Sequence, residues 1–169
     1  MPCQDAMVTN IIAIGPDKTV ADALVLFKDN HIRALPVLND EGELLGVFDF
    51  NALLNSLLPV SIPGMEGFIG VDLRLDHIIG AAPGVAKRLR KRMPFAVRDI
   101  MRHDYATVTP ETPLWEGVRM LVKTGTIVPV LKKDTHKIVG ILTHHSTIRQ
   151  LLHLVQEQES EIKAQARSE

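Results

Sequence analysis

The chain has 169 residues, 46% of them apolar and 23% charged, the profile of a folded globular protein rather than a disordered one. Nineteen Lys and Arg against twenty Asp and Glu leave a formal charge of −1, so no overall cationic field exists to hold the chain on nucleic acid or anionic lipid. A single cysteine, Cys3, excludes an intramolecular disulfide and a cysteine-based zinc site or redox pair.

The first residues lack the basic and apolar blocks of a secretory signal, so a reducing cytoplasm is the expected compartment. The longest stretch free of charged and strongly polar side chains, Ile78 to Ala86, is broken by Gly80, Pro83 and Gly84. A membrane-spanning helix needs roughly 20 apolar residues, so none is expected.

In chain order, Ala6-Met7 leads into Ile14-Gly15-Pro16-Asp17, an entering strand and turn. Val20, Ala23, Leu24 and Phe27 then fall at i, i+3, i+4 and i+7, the stripe of an amphipathic helix, and Thr19 with Asp22 has the spacing of a capping box. Leu35 to Leu38 and Leu44 to Phe48 are short apolar runs around Asn39-Asp40-Glu41-Gly42, which predicts a hairpin. The proline inside the first run points to a sheet edge or a strand start. Leu53, Leu54, Leu57 and Leu58 mark a closing helix.

The segment 56–93 carries Pro59, Pro63 and Pro83 and is glycine-rich, so it is expected to be part loop, with a helical stretch approaching the basic run at Lys87. Its apolar residues predict packing on the core rather than a free linker. Beyond it, Ile100-Met101, Val108-Thr109-Pro110-Glu111, Leu114 to Val118, Ile127 to Leu131, Ile138 to Leu142 and Ile148 to Val155 repeat the earlier string. Here Thr112 is the expected cap, with Pro113 at the first helical position. After Val155 the chain turns polar, a fraying helical tail.

The two strings are copies. Pro16 to Pro110 and Gly46 to Gly140 are each 94 residues apart, while Pro36 to Pro129 is 93, so the second copy loses one residue before its Pro-Val strand and regains it in the turn. A unit of roughly 50 residues buries too little surface to be stable alone, which predicts that the copies share a core with pseudo-twofold symmetry. The expected organisation is repeat 1 over 1–55, an inserted linker over 56–96, repeat 2 over 97–155 and a polar tail over 156–169. The expected fold class is α/β of the α+β type, with two β-α-β-β-α repeats.

This doubled pattern resembles the cystathionine-β-synthase (CBS) domain, over about 50 residues in each copy, and the chain is similar to a stand-alone tandem pair of the bacterial or archaeal type, a Bateman module. The resemblance implies a homodimer of modules forming a flat disc. It also implies a cleft between the copies that binds AMP, ADP, ATP or S-adenosylmethionine as a regulatory ligand, with no cofactor required and no catalysis. Nucleotide-binding members end the last strand with Gly-apolar-x-Thr/Ser-x-x-Asp, the hydroxyl meeting phosphate and the Asp the ribose. Copy two reads Gly140-Ile141-Leu142-Thr143-His144-His145-Ser146, so Thr143 matches and Ser146 replaces the Asp. Exchanging a charged acceptor for a hydroxyl loses on the order of 1 kcal/mol. Copy one has Asp49 where phosphate would come and Ala52 at the ribose position, a poor phosphate site. The ligand residues implied in copy two are Thr107, Val108, Ile127, Val128, Pro129, Thr143, His144 and Ser146.

Other constellations carry less. His144, His145 and His153 have no pair at four-residue spacing, so no metal site is expected. Lys87-Arg88-Leu89-Arg90-Lys91-Arg92 reads as a solvated helical face or helix C-terminus, or else as a contact for a polyanion or partner. Only Phe95 and Tyr105 are aromatic neighbours, so nucleic acid is not an expected partner. No serine lies in a Gly-x-Ser-x-Gly elbow and nothing assembles a nucleophile, base and oxyanion hole, so the chain is not expected to be an enzyme. The principal expectation is a regulatory module sensing an adenosyl compound. The alternative is a ligand-free dimeric scaffold that holds an unknown protein partner through the insertion or the basic run.

Overall fold

The computed structural model describes residues 1–57 and 82–165. Repeat 1 contains α1 (Val20–Asn30), β1 (Ala34–Leu38), β2 (Leu44–Asp49) and α2 (Phe50–Leu57). The insertion ends in α3 (Ala82–Arg92), the helix expected near the basic run, while its expected loop over 58–81 lies outside the described residues. Repeat 2 contains α4 (Leu114–Thr124), β3 (Val128–Leu131), β4 (Ile138–Leu142) and α5 (His144–Gln165). Rather than fraying from Val155, α5 runs on as one helix.

β1 pairs antiparallel with β2 and β3 with β4, each with a register shift just before the turn, after Val37 and after Val130. Each entering strand is reduced to one residue, Ile14 against Val37 and Val108 against Val130, both parallel. Ile14 donates to the Pro36 carbonyl and accepts from Leu38, and Val108 does the same between Pro129 and Leu131. The next rung of a parallel ladder would need an N–H from Pro36 or Pro129, which proline lacks, so pairing stops there. Each proline thus stands in an edge strand of a two-stranded sheet, as its presence in a strand suggests, with a single bridge beyond it. Each lies between a hairpin partner and a bridge, and limits the third strand to one residue.

The α1 capping box forms as its spacing predicts, with Thr19 Oγ1 accepting the Asp22 N–H at 3.2 Å and Asp22 Oδ2 accepting the Thr19 N–H at 2.9 Å. The equivalent in repeat 2 differs from expectation. Pro113 is the N-cap and Leu114 the first helical residue, while Thr112 Oγ1 turns back to accept the Thr109 N–H at 2.9 Å. The Leu114 N–H is taken instead by the Met1 carbonyl, as Val20 N–H is by Phe95. A backbone carbonyl from the leading segment of the other repeat thus meets the start of each helix, and at α4 it takes the N–H that Thr112 would have served.

These caps belong to an exchange between the repeats. One-turn 3-10 segments at Cys3–Asp5 and Val97–Asp99, 94 residues apart, open the two copies. The first packs into the repeat 2 core, where Cys3 and Ala6 join Val108, Leu114, Leu121, Val128, Val130 and Leu142. The second packs into repeat 1, where Val97 joins Ile14, Val20, Phe27, Leu35, Val37, Phe48 and Leu53. Each leading segment then adds a bridge to the far sheet, Val8 to Ile141 and Arg102 to Val47. The hairpin turns also meet, through Glu43 and Lys137. Phe27 stacks on Phe48 at 5.7 Å between ring centroids within the repeat 1 core.

The strand glycines record this exchange. A Cβ on Gly140 would sit 2.7 Å from Met7 Sδ, and one on Gly46 would sit 2.7 Å from Met101 Sδ and 2.9 Å from the Arg102 carbonyl oxygen. Each methionine of a leading segment lies directly on the backbone of the other repeat. Gly140→Ala and Gly46→Ala should each destabilise the protein by about 1–3 kcal/mol. Gly46→Ala should cost more, because a backbone oxygen cannot move aside as a thioether can. Adding Met7→Ala to Gly140→Ala should recover part of the loss, whereas full additivity in urea unfolding would show that the two do not touch.

Candidate functional site

The junction of β4 and α5 holds the Thr-x-x-Ser segment of copy two. Thr143 Oγ1 accepts the Ser146 N–H at 3.0 Å, while Ser146 Oγ accepts the Thr143 N–H at 3.1 Å and donates to the Thr143 carbonyl at 3.2 Å. The two hydroxyls therefore close a reciprocal cap at the start of a 22-residue helix. Ser146 is only 1% exposed and its hydroxyl is engaged by backbone on both sides. Thr143 is partly exposed and keeps its hydroxyl proton for a further acceptor, and His144 is exposed beside it. The first N–H groups of α5, those of His144 and His145, are the unpaired donors of a helix start.

The other implied residues divide between two places. Val128 pairs with Leu142, which brings Ile127 to the Thr143 end of the sheet. Ile127 packs in a third cluster with Ala34 and Val47, with Tyr105 and Ile141 against it, and this cluster lies at the seam between the repeats. Burial there pushes the Tyr105 hydroxyl pKa up. Pro129 is buried and follows Ile127 on the same face of its strand. Val128 and Val108 send their side chains into the repeat 2 core, so only their backbones are available to a ligand. Thr107 and Val108 line a pocket of about 400 Å³ with Lys132, Asp134 and His136, at the hairpin-turn end of the sheet and away from Thr143.

Copy one is built differently at the same position. Asp49, 94 residues before Thr143, is 2% exposed; its Oδ1 accepts the Ala52 N–H at 2.7 Å as the cap of α2. Its Oδ2 accepts from Arg102 at 3.0 Å, and the same guanidinium donates from Nε to Asp104 Oδ1 at 3.1 Å. Arg102 comes from the exchanged leading segment of repeat 2, held by its backbone pair with Val47. A carboxylate and a guanidinium thus occupy the place where copy two offers a hydroxyl. Sequence reasoning flagged Asp49 but missed Arg102. Its signal was internal: the pseudo-equivalent residue is Val8, so the two copies differ by one cation at a position that bridges the repeats.

Among the described residues no three His, Cys, Asp or Glu side chains group closely enough to hold a metal ion. Burial pushes the Cys3 thiol pKa up, as suits a core residue rather than a nucleophile. No helix among the described residues is long and apolar enough to cross a membrane.

The sequence matches the model of the CBS domain family at residues 3–59 and 97–153, and the chain belongs to that family. An uncharacterized protein of Methanocaldococcus jannaschii is 23% identical over 151 residues, covering 83% of this chain and 86% of that protein. The chloroplastic CBS domain-containing protein CBSX2 of Arabidopsis thaliana is 29% identical over 154 residues, covering 89% of this chain; the chain spans 63% of that relative. The structure of CBSX2 in complex with AMP superimposes with a TM-score of 0.64 at 26% identity, covering 90% of this chain and 97% of that one. The two-repeat α+β architecture is the fold of these CBS pairs.

The Arg102 fork gives a direct test of the copy-one arrangement. Arg102→Met leaves a buried carboxylate without its cation and should cost about 2–3 kcal/mol, below a fully buried pair because the guanidinium is partly exposed. Combining it with Asp49→Asn, which keeps a cap, should recover most of that loss in chemical unfolding. The same guanidinium holds the exposed Asp104 carboxyl below its usual range. Stability from that contact is full at neutral pH and is lost as pH falls through the lowered folded value. Arg102→Met should therefore also flatten the acid limb of the stability profile.

Proposed function

We propose that the protein is a regulatory module that binds one adenine nucleotide per chain in the repeat 2 half of the cleft, and that it catalyses no reaction of its own. The observation that carries this reading is the asymmetry between Thr143 and Asp49. At Thr143 a partly exposed hydroxyl stands at the positive end of a long helix, with two backbone N–H donors beside it, a setting that favours phosphate. At Asp49 a buried carboxylate repels phosphate and already holds a guanidinium. Family membership supports the ligand class, and CBSX2, a related CBS pair, has been solved with AMP.

In this reading the adenine lies along the seam by Ile127, Pro129 and Ile141, and the phosphate meets Thr143 with the His144 and His145 N–H groups. Ribose recognition is weakened, because Ser146 offers no carboxylate and its hydroxyl is committed to the cap. A ligand that touches both repeats favours one arrangement of them, and that differential affinity is the regulatory output.

The module also has a surface suited to self-association. Phe50 and Leu54 on α2 and Ile148 and Leu152 on α5 are exposed on the closing helices, with Leu54 and Ile148 at equivalent places. We assign to them the homodimer interface; Phe50→Glu with Leu152→Glu should give a monomer by light scattering, and an unchanged mass would remove that assignment.

The decisive experiment is calorimetry and thermal unfolding with AMP, ADP, ATP and S-adenosylmethionine. At 100 times its dissociation constant a ligand stabilises by about 2.7 kcal/mol, which should raise the midpoint by roughly 5–10 °C with one site per chain. Thr143→Asp combined with Val8→Arg copies the repeat 1 pair of Asp49 and Arg102, so it should fold yet lose the shift. No shift for any ligand with the natural protein, or an undiminished shift in that double variant, would overturn the reading and favour the partner-binding scaffold.

A further inference from the structure

The two repeats carry opposite charge beside their closing helices. In repeat 2, every residue of α5 from Val155 to Lys163 is exposed, although the helix runs on to Gln165. Ile148, Val155 and Ile162 fall seven residues apart and therefore share one face with Leu152, and all four are more than half exposed. Glu159 stands on that same face, between Val155 and Ile162. Glu157 and Glu161 lie beside it; the helix end also holds Lys163, and His153 Nδ1 is 3.4 Å from Glu157. In repeat 1, α3 packs on the closing helix α2, and Leu89 docks on the core cluster that contains Leu57. Lys87, Arg90 and Lys91 are exposed on α3, Arg88 and Arg92 are partly so, and no Asp or Glu occurs from 82 to 95. Where α3 leaves toward α1, Met93 and Phe95 are exposed, with the Arg92 guanidinium 5.0 Å from the centre of the Phe95 ring. The Met93 and Phe95 carbonyls accept the Ala21 and Val20 N–H groups, which fixes this surface on repeat 1.

We infer that in the homodimer the exposed end of α5 docks on α3 of the second copy, so that repeat 2 of each chain faces repeat 1 of its partner. This rests on the assignment of Phe50, Leu54, Ile148 and Leu152 to self-association, and adds which repeats meet. Because α3 packs on α2, an α5 laid against the partner's α2 lies beside the partner's α3. The face that carries Ile148 and Leu152 continues into Val155, Glu159 and Ile162. A carboxylate within an apolar stripe is costly to cover unless a cation meets it, and α3 offers Lys87, Arg90 and Lys91. The alkyl stems of those side chains, with Met93 and Phe95, supply the apolar surface that Val155 and Ile162 require. The opposite arrangement, like repeat on like repeat, would oppose α5 to α5 and α3 to α3, which sets like charges against each other in both places. The Thr143 end of the cleft takes no part in this contact.

Sedimentation of the full chain and of two charge-reversed variants tests this. One variant carries Glu159→Lys with Glu161→Lys; the other carries Lys87→Glu, Arg90→Glu and Lys91→Glu. Each alone should raise the dimer dissociation constant about tenfold or more, because like charges then meet at both contacts of a twofold dimer. Mixing the two variants in equal amounts should restore a dimer, since every acidic segment then finds a basic one on the other chain. That restoration also shows that both variants fold. An unweakened dimer of the Glu159→Lys, Glu161→Lys variant would overturn the inference while leaving the homodimer reading in place. Weakening that mixing does not repair, in variants of natural helical content by circular dichroism, would overturn it as well, since the contact would then lie within one chain. A natural protein that sediments as a monomer would remove the homodimer reading and this inference together.

Discussion

Everything else in this structure depends on the exchange of leading segments. Neither repeat has a complete core without the other's first residues: Cys3 and Ala6 fill repeat 2, and Val97 fills repeat 1. The same segments supply the carbonyls that cap α1 and α4 and the bridges that extend each sheet. A unit of roughly 50 residues buries a modest fraction of its surface, so its stability is decided by contacts of this kind. The glycines at 46 and 140 are the steric condition for the exchange, since each leaves room for a methionine from the other repeat to lie on the strand backbone. The chain is therefore one cooperative body in which a shift of either leading segment is felt in the opposite core.

That coupling gives the asymmetry of the cleft its physical origin. The exchanged segments place Val8 beside Ile141 and Arg102 beside Val47, two residues short of Thr143 and Asp49 respectively. An arginine next to a hydroxyl would have made an anion site. Next to a buried carboxylate it makes an ion pair, and the cation is spent on Asp49 and Asp104. A buried carboxylate at a helix start is costly without such a partner, so Asp49 and Arg102 belong together as one ion pair. Copy two has neither charge, and its cap is made of two hydroxyls that leave the helix start electrically open.

Much of the fold was legible in the sequence because repetition doubles every local signal. The helix stripe at Val20, Ala23, Leu24 and Phe27, the Thr19 and Asp22 box and the hairpin around Gly42 depend on residues close in the chain, and they stand where their spacing puts them. What was not legible depends on distant partners. Thr112 looked like a cap until the Met1 carbonyl took the N–H it would have served. The entering strands looked longer than one residue because a proline's missing donor matters only once the neighbouring strand is known. In the site, Val108 and Val128 were carried over as ligand residues by position, yet strand alternation turns their side chains into the core. Arg102 could be recognised only by asking what lies across from it, which no local pattern records.

The insertion extends the same logic. Its described end, α3, is a strongly basic helix that would be poorly stable alone, since cations at positions 87, 88 and 90–92 repel one another. It is held because Leu89 docks on repeat 1 and because the Met93 and Phe95 carbonyls at its exit are used as caps for α1. The cations also sit toward its C-terminus, where the helix dipole favours them. The helix thus performs for repeat 1 a covering role that repeat 2 receives from no described segment. Among the described residues the two flanks therefore differ, with Leu57 buried beneath this helix and its counterpart Leu151 half exposed.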